Sequence, residues 1–226
     1  MTSEPIPSRR ARPIPVTRQQ SDNARRRIER RAADRRASNE RWRSILLGAT
    51  EVFRREGFAR ARLEDVAAEV GINRASLYYY VGTKEELLLA LIEEPARDMT
   101  RHCRAALESD APADVKLRAA LHCYVEDLEN HPELFLLFNE SQHIAAIPDA
   151  HGISSNAEDY AQALLAIVQE GVGTGVFRAD LEPRLVTHGI LGMHNWIHRW
   201  YAPSGRCSLT EIGEVFAEMI LSGLRP

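Results

Sequence analysis

The stretch that most constrains the fold is LEDVAAEVGINRASLYYYV, residues 63–81. Leu63, Val66, Ala67 and Val70 recur at helical spacing and define one short helix. Gly71 follows where a tight turn needs left-handed backbone, which glycine adopts at no steric cost. Asn73 is placed to cap a second helix, with Leu77 and Val81 pointing inward. Two short helices, a glycine turn and a small Ala67 at their crossing make a helix-turn-helix. Any packed helical hairpin could share part of the spacing Ala67–Gly71–Ile72–Leu77, so the outward side chains carry the functional argument.

A recognition helix enters the major groove by its N-terminal half. Here that half is Asn73, Arg74, Ala75 and Ser76. Arginine can fork onto guanine and asparagine onto adenine, while alanine permits close approach. The periodicity turns Leu77 and Tyr80 toward the core and Tyr78 and Tyr79 outward. A tyrosine hydroxyl can reach a phosphate oxygen while its ring packs on sugar or a thymine methyl. Thr83 and Glu86 form a capping box for the next helix, and Lys84 lies in its first turn. A cation there opposes the helix dipole, so the expectation is a phosphate clamp rather than a stabilising role. Lys84 and Lys116 are the two lysines in a chain otherwise rich in arginine.

Charge is unevenly distributed. Residues 1–38 hold eleven arginines against four carboxylates, a formal +7. Because the whole chain carries -3, the remainder carries -10. A basic arm on an acidic body suggests a polyanion for the arm. Its prolines and few apolar residues predict disorder over 1–20, and a basic helix on a polyanion over 22–36. The apolar stretches fall short of the ~18 residues of a membrane span and no secretory signal is visible, so a cytoplasmic protein is expected. Cys103, Cys123 and Cys207 lack metal-type spacing.

The rest reads as helices, roughly nine in an all-α chain. Trp42, Ile45, Leu46, Ala49, Val52 and Phe53 share a face that Gly57 closes. Leu87, Leu88, Leu91 and Ile92 continue the fourth helix until Pro95, where a kink or restart is expected. Helical spacing returns at Leu117–Leu128 and at Leu134–Phe138. Residues 141–155 read as a loop, and Tyr160 begins a helix closed by GVGTGVF. The last two helices are expected at about 183–201 and 208–224.

At this point RWRSILLGATEVFRREGF and LEDVAAEVGINRASLYYYVGTKEELLLALI resemble the DNA-binding domain of the TetR family of bacterial transcriptional regulators, over residues 39–94. The resemblance implies a three-helix DNA-binding head at 39–99 and a helical ligand-binding and dimerisation domain at 100–226. It also implies a homodimer on double-stranded, palindromic operator DNA. It carries DNA contact onto Asn73, Arg74, Ser76, Tyr78, Tyr79 and Lys84. Where the family usually places Thr or Ser, this chain has Ala61 and Arg62, so the cap is lost and Arg62 is expected to supply a phosphate contact. HPELFLLFNE and the stretch from Ile190 are similar to a subgroup controlling lipid, steroid or fatty-acid degradation, often answering to acyl-CoA thioesters.

Tyr124, Leu128, Phe135, Phe138, Met193 and Trp196 are expected to surround one apolar cavity with Arg199 at its rim. An acyl-CoA fits that expectation. The alternative is a neutral or cationic compound in a drug-responsive regulator. The Trp196/Arg199 group could equally be dimer core. Apolar stripes place Ile190, Ile197, Ile212, Phe216 and Met219 in a dimer interface built as a four-helix bundle from two copies. His194 and His198 stand four apart, a spacing able to hold a metal, yet a structural role is the stronger reading and neither metal nor cofactor is expected. No nucleophile elbow, phosphate loop or metal triad supports an enzyme. An architectural DNA-binding protein is a third option, disfavoured by the length of chain beyond the head. The combined expectation is a ligand-responsive regulator, a repressor released by its effector.

Overall fold

The computed structural model describes residues 39–226, apart from 146, 148, 149 and the side chain of His151. The expected basic arm, 1–38, lies outside the described residues. Residues 45–226 form one compact unit, and all packing below concerns it. Among the described residues there are ten α-helices and no strand.

Helix α1 spans 39–56, α2 Leu63–Glu69 and α3 Arg74–Tyr80. Ile45, Ala49, Val52 and Phe53 of α1 are buried, as their spacing predicts. Gly57 and Gly71 both have positive φ, +78° and +67°, and end α1 and α2 in left-handed turns. Val66 and Leu77 are fully buried and Ala67 nearly so, which brings α2 and α3 together. Gly48 lets α1 approach the end of α2, because a Cβ there would stand 2.3 Å from Val70 Cγ1.

Helix α4 runs without interruption from Lys84 to Glu108. The restart expected at Pro95 does not occur: Pro95 is a buried residue within the helix. A proline removes one intrahelical bond. Nearby, the Asn156 amide donates to the Ala96 carbonyl at 2.6 Å and the Thr100 hydroxyl donates to the Asn156 carbonyl at 3.2 Å, tying α4 to the helix at His151–Thr174. One helix thus runs through residues 99 and 100, where the sequence suggested a boundary.

The body is built from α5 (Ala113–Asn130), α6 (Leu134–Asn139), α7 (Ser141–Ala145), α8 (His151–Thr174), α9 (Pro183–Asn195) and α10 (Leu209–Leu224). α4 packs on α5 and α8, α10 on α5, and α8 on α9. Leu117, Leu121, Leu164, Ile167 and Val168 lie at the centre of this core. Each such side chain adds about 1.5–3 kcal/mol by leaving water. The buried Lys116 ammonium is held by both oxygens of Glu170, at 2.9 and 2.8 Å, linking α5 to α8.

Two expectations are corrected here. The loop assigned to 141–155 contains α7 and the start of α8. Among its described residues Ile144, Ala150 and Ile153 are buried in a polar, glycine- and serine-bearing sequence, so the apolar signal is weak. The helix expected at 183–201 ends at Asn195 and tightens into a 3-10 turn at Ile197–Arg199, with Arg199 N–H donating to the Trp196 carbonyl at 3.0 Å.

Candidate nucleic-acid interface and effector body

The exposed face of α3 is short and specific. Asn73 Oδ1 accepts from the Ser76 N–H at 2.8 Å, fixing the first turn. Arg74, Ala75 and Ser76 are exposed, while Leu77 is completely buried. Tyr79 is 83% exposed and Tyr78 42%, whereas Leu77 and the helix behind it close the inner face. Asn73 is exposed, and the amide oxygen that an adenine fork would use also caps the helix.

The Arg74 guanidinium is oriented by its neighbours. Its Nε is 2.9 Å from Glu64 Oε1, its Nη2 donates to the Tyr78 hydroxyl at 3.4 Å, and it stands 5.2 Å from the Tyr78 ring centroid. The Tyr78 hydrogen bond, then the Glu64 charge, raises its pKa above the usual arginine value.

Beside α3 lies an open hollow of about 660 Å³, lined by residues 59–63, Tyr78 and residues 82–85. It collects the starts of α2 and α4 with Arg60 and Arg62. Helix N-termini present unpaired N–H groups and partial positive charge, which suits a phosphate. Arg62 is exposed as the N-cap of α2 and its side chain makes no cap bond. Asp65 takes over, its carboxylate accepting from the Arg62 N–H at 2.8 Å. At α4 the Thr83 hydroxyl accepts from Glu86 N–H, and the Glu86 carboxylate accepts from Gly82 N–H.

Lys84 is the main correction at this face. Its ammonium donates to the carbonyls of Phe58, Ala59 and Ala61 at 2.8, 3.1 and 3.3 Å. Its three donors are spent inside the protein, so it is a staple between α4 and the turn after α1, not a free phosphate clamp. Arg60, which no motif in the sequence singles out, lines the same hollow.

The expected effector residues do not converge on one cavity. Tyr124 is buried, with its ring 6.3 Å from Phe138, 6.1 Å from Tyr160 and 4.8 Å from His194. Its hydroxyl donates to Asn195 Oδ1 at 3.1 Å, and burial raises its pKa. Met193 packs against the same core. Leu128 and Phe135 instead line a cleft of about 980 Å³ that also takes in Leu47 and Phe53 of α1 and Tyr201. Trp196 is 59% exposed, with Arg199 stacked 5.4 Å from its ring centroid, so neither belongs to an interior cavity.

His194 is almost fully buried. Its Nδ1 donates to the Ile190 carbonyl at 3.0 Å, which leaves Nε2 as an acceptor without a protein partner. Burial lowers its pKa to about 4. His198 bonds locally to the Asn195 carbonyl beyond the end of α9. The two do not share a site, and no group of three or more metal-ligating residues occurs among the described residues.

The dimer residues also divide. Ile190, Ile197 and Ile212 are buried within the single chain and Phe216 is half-buried. Three of these five side chains therefore serve the protomer's own core. Met219 is 60% exposed, and with it Val215 (57%) on α10, Leu185 (71%) on α9 and Trp196 just beyond α9 leave apolar side chains exposed. The spacing of Val215 and Met219 carries that signal, but the stronger apolar stripe on α10 obscures it.

Comparison with known proteins agrees with this geometry. Residues 45–91 match the model for bacterial regulatory proteins of the tetR family, and 110–224 match the tetracyclin repressor-like C-terminal domain. The transcriptional repressor KstR2 of Mycolicibacterium smegmatis is 26% identical over 187 residues, covering 80% of this chain and 88% of that one. The structure of the ketosteroid transcriptional regulator KstR2 of Mycobacterium tuberculosis superposes with a TM-score of 0.76 at 24% identity, covering 82% and 95%. AibR, solved with isovaleryl coenzyme A and operator DNA, shares the fold with a TM-score of 0.69 at 22% identity, covering 79% and 97%. With a helix-turn-helix head and a helical body that both match, the chain belongs to the TetR family of bacterial transcriptional regulators.

Proposed function

We propose that this regulator is a homodimeric repressor that binds a palindromic operator through α3 and is released by a small hydrophobic effector. The observation that carries the DNA reading is the juxtaposition of Arg74, Tyr78 and Tyr79 with the basic hollow at the starts of α2 and α4. Arg74 reads a base edge, the tyrosines pack on backbone and sugar, and Arg60, Arg62 and the helix N-termini hold phosphate. Ala75 and Ser76 allow close approach. Residues 1–38 add a nonspecific, salt-dependent contribution through their +7 charge.

Two copies meet through the exposed faces of α9 and α10, where Leu185, Val215 and Met219 lie. That pairing buries apolar surface the single chain leaves in water and spaces two heads for successive major grooves. The effector enters the body at the cleft lined by Leu128, Phe135 and Tyr201. An acyl-CoA thioester is favoured, given the likeness to KstR2 and the ligand seen in AibR. The cleft between α1 and the body supplies a route for coupling, since an effector acts only by favouring one arrangement of head and body.

Calorimetry with matched free acids and CoA thioesters, followed by anisotropy of a labelled operator, tests the effector. Thioesters should bind more tightly than the acids and release the duplex. Equal binding, or binding without release, would replace the thioester with a drug-type hydrophobic compound.

A further inference from the structure

Arg74 does not project freely from the recognition helix. Glu64, in the first turn of α2, holds its Nε at 2.9 Å, and the Tyr78 hydroxyl holds Nη2 from the other side at 3.4 Å. The Arg74 and Glu64 side chains are 67% and 44% exposed. An ion pair so exposed adds little to folding. Its consequence is positional: it decides which guanidinium donors are left.

Arginine has five N–H donors in a rigid plane. With the Glu64 carboxylate paired at the Nε edge and one Nη2 proton on the Tyr78 hydroxyl, both protons on Nη1 and one on Nη2 remain. Those two nitrogens form the end-on fork that matches O6 and N7 of guanine. The carboxylate also places a negative charge beside the guanidinium. A phosphate approaching Arg74 meets that charge, whereas the neutral acceptor edge of guanine meets it at far lower cost.

We infer that Glu64 is a specificity-determining residue of the DNA-binding head, which orients Arg74 for end-on reading of a guanine and discourages its use on phosphate. This rests on the proposed role of Arg74 as a base reader.

The test measures affinity for the selected operator and for a scrambled duplex of equal length, using the full chain and Glu64→Gln, Glu64→Ala and Arg74→Ala. Circular dichroism melts verify that each variant folds. Glu64→Gln should bind scrambled DNA severalfold more tightly and lower the operator-to-scrambled ratio. Glu64→Ala, which also removes the side chain beside Nε, should lower the ratio by about tenfold and relax preference at the base pair affected by Arg74→Ala. If Arg74→Ala loses discrimination while both Glu64 variants keep the ratio within about twofold of wild type, the role of Glu64 is overturned and Arg74 still reads DNA. If Arg74→Ala discriminates like wild type, the base-reading role fails and takes this inference with it.

Discussion

The Lys84 ammonium lies 4.6 Å from the centre of the Phe58 ring and donates to the Phe58 carbonyl at 2.8 Å. Phe58 also packs edge-on against Phe53, at 5.2 Å, and lies 5.8 Å from the His143 ring of α7. One residue of α4 thereby fastens the turn that carries α2, at a point where the body touches the head. Replacing Lys84 with methionine should destabilise the protein by about 1–3 kcal/mol by orphaning carbonyls. It should weaken operator binding without changing the dependence of affinity on salt. Were Lys84 bound to a phosphate, its removal would instead reduce the slope of log K against log salt by about 0.9. A reduced slope in Lys84→Met would restore the clamp reading.

Gly48 tests the packing of the head. An alanine Cβ would stand 2.3 Å from Val70 Cγ1, so α1 must shift or Val70 must move. Gly48→Ala should cost about 1–3 kcal/mol. Adding Val70→Ala should recover part of that loss in denaturant titrations. Full stability of Gly48→Ala alone would contradict the close approach.

The dimer face makes a contrast between neighbouring positions on α10. Val215→Asp and Met219→Asp alter exposed side chains, so each variant should keep its helical circular dichroism and sediment as a monomer. Ile212→Asp buries a charge in the protomer core and should fail to fold. A dimer that survives both surface charges would place the interface elsewhere.

Burial lowers the pKa of His194 from 6.5 to about 4. The unfolded chain therefore binds this proton first as pH falls, and stability declines between about pH 6.5 and pH 4 before levelling off. The decline attributable to this group is about 3 kcal/mol. It should be missing from the pH profile of His194→Phe measured by urea unfolding. An unchanged profile would show that the imidazole is not held neutral.

The head is legible in the sequence because its signals are local. The apolar period, Gly71 and the Asn73 cap each determine backbone within a few residues, and the structure follows them. Lys84 is misleading because its partners, Phe58 to Ala61, lie about 25 residues away, and a lysine's reach is invisible to a helix-dipole argument. Ile212 and Met219 show the limit in the body. Both are apolar and on one helix, but sequence does not say whether an apolar side chain meets its own core or a second copy. At Pro95 the helix continues where the sequence offered a kink or a restart, because a proline removes one intrahelical bond and the buried face of α4 runs on past it.

Base reading by Arg74 on α3 is best examined by selection from a random duplex library, with the full chain and Arg74→Ala run in parallel. The wild type should enrich a two-fold-symmetric site whose half-sites lie about one helical turn apart. Arg74→Ala should enrich the same site with preference lost at one base pair in each half. Failure of the wild type to enrich any symmetric sequence, or recovery of an identical motif by the variant, would show that α3 does not read DNA through this arginine.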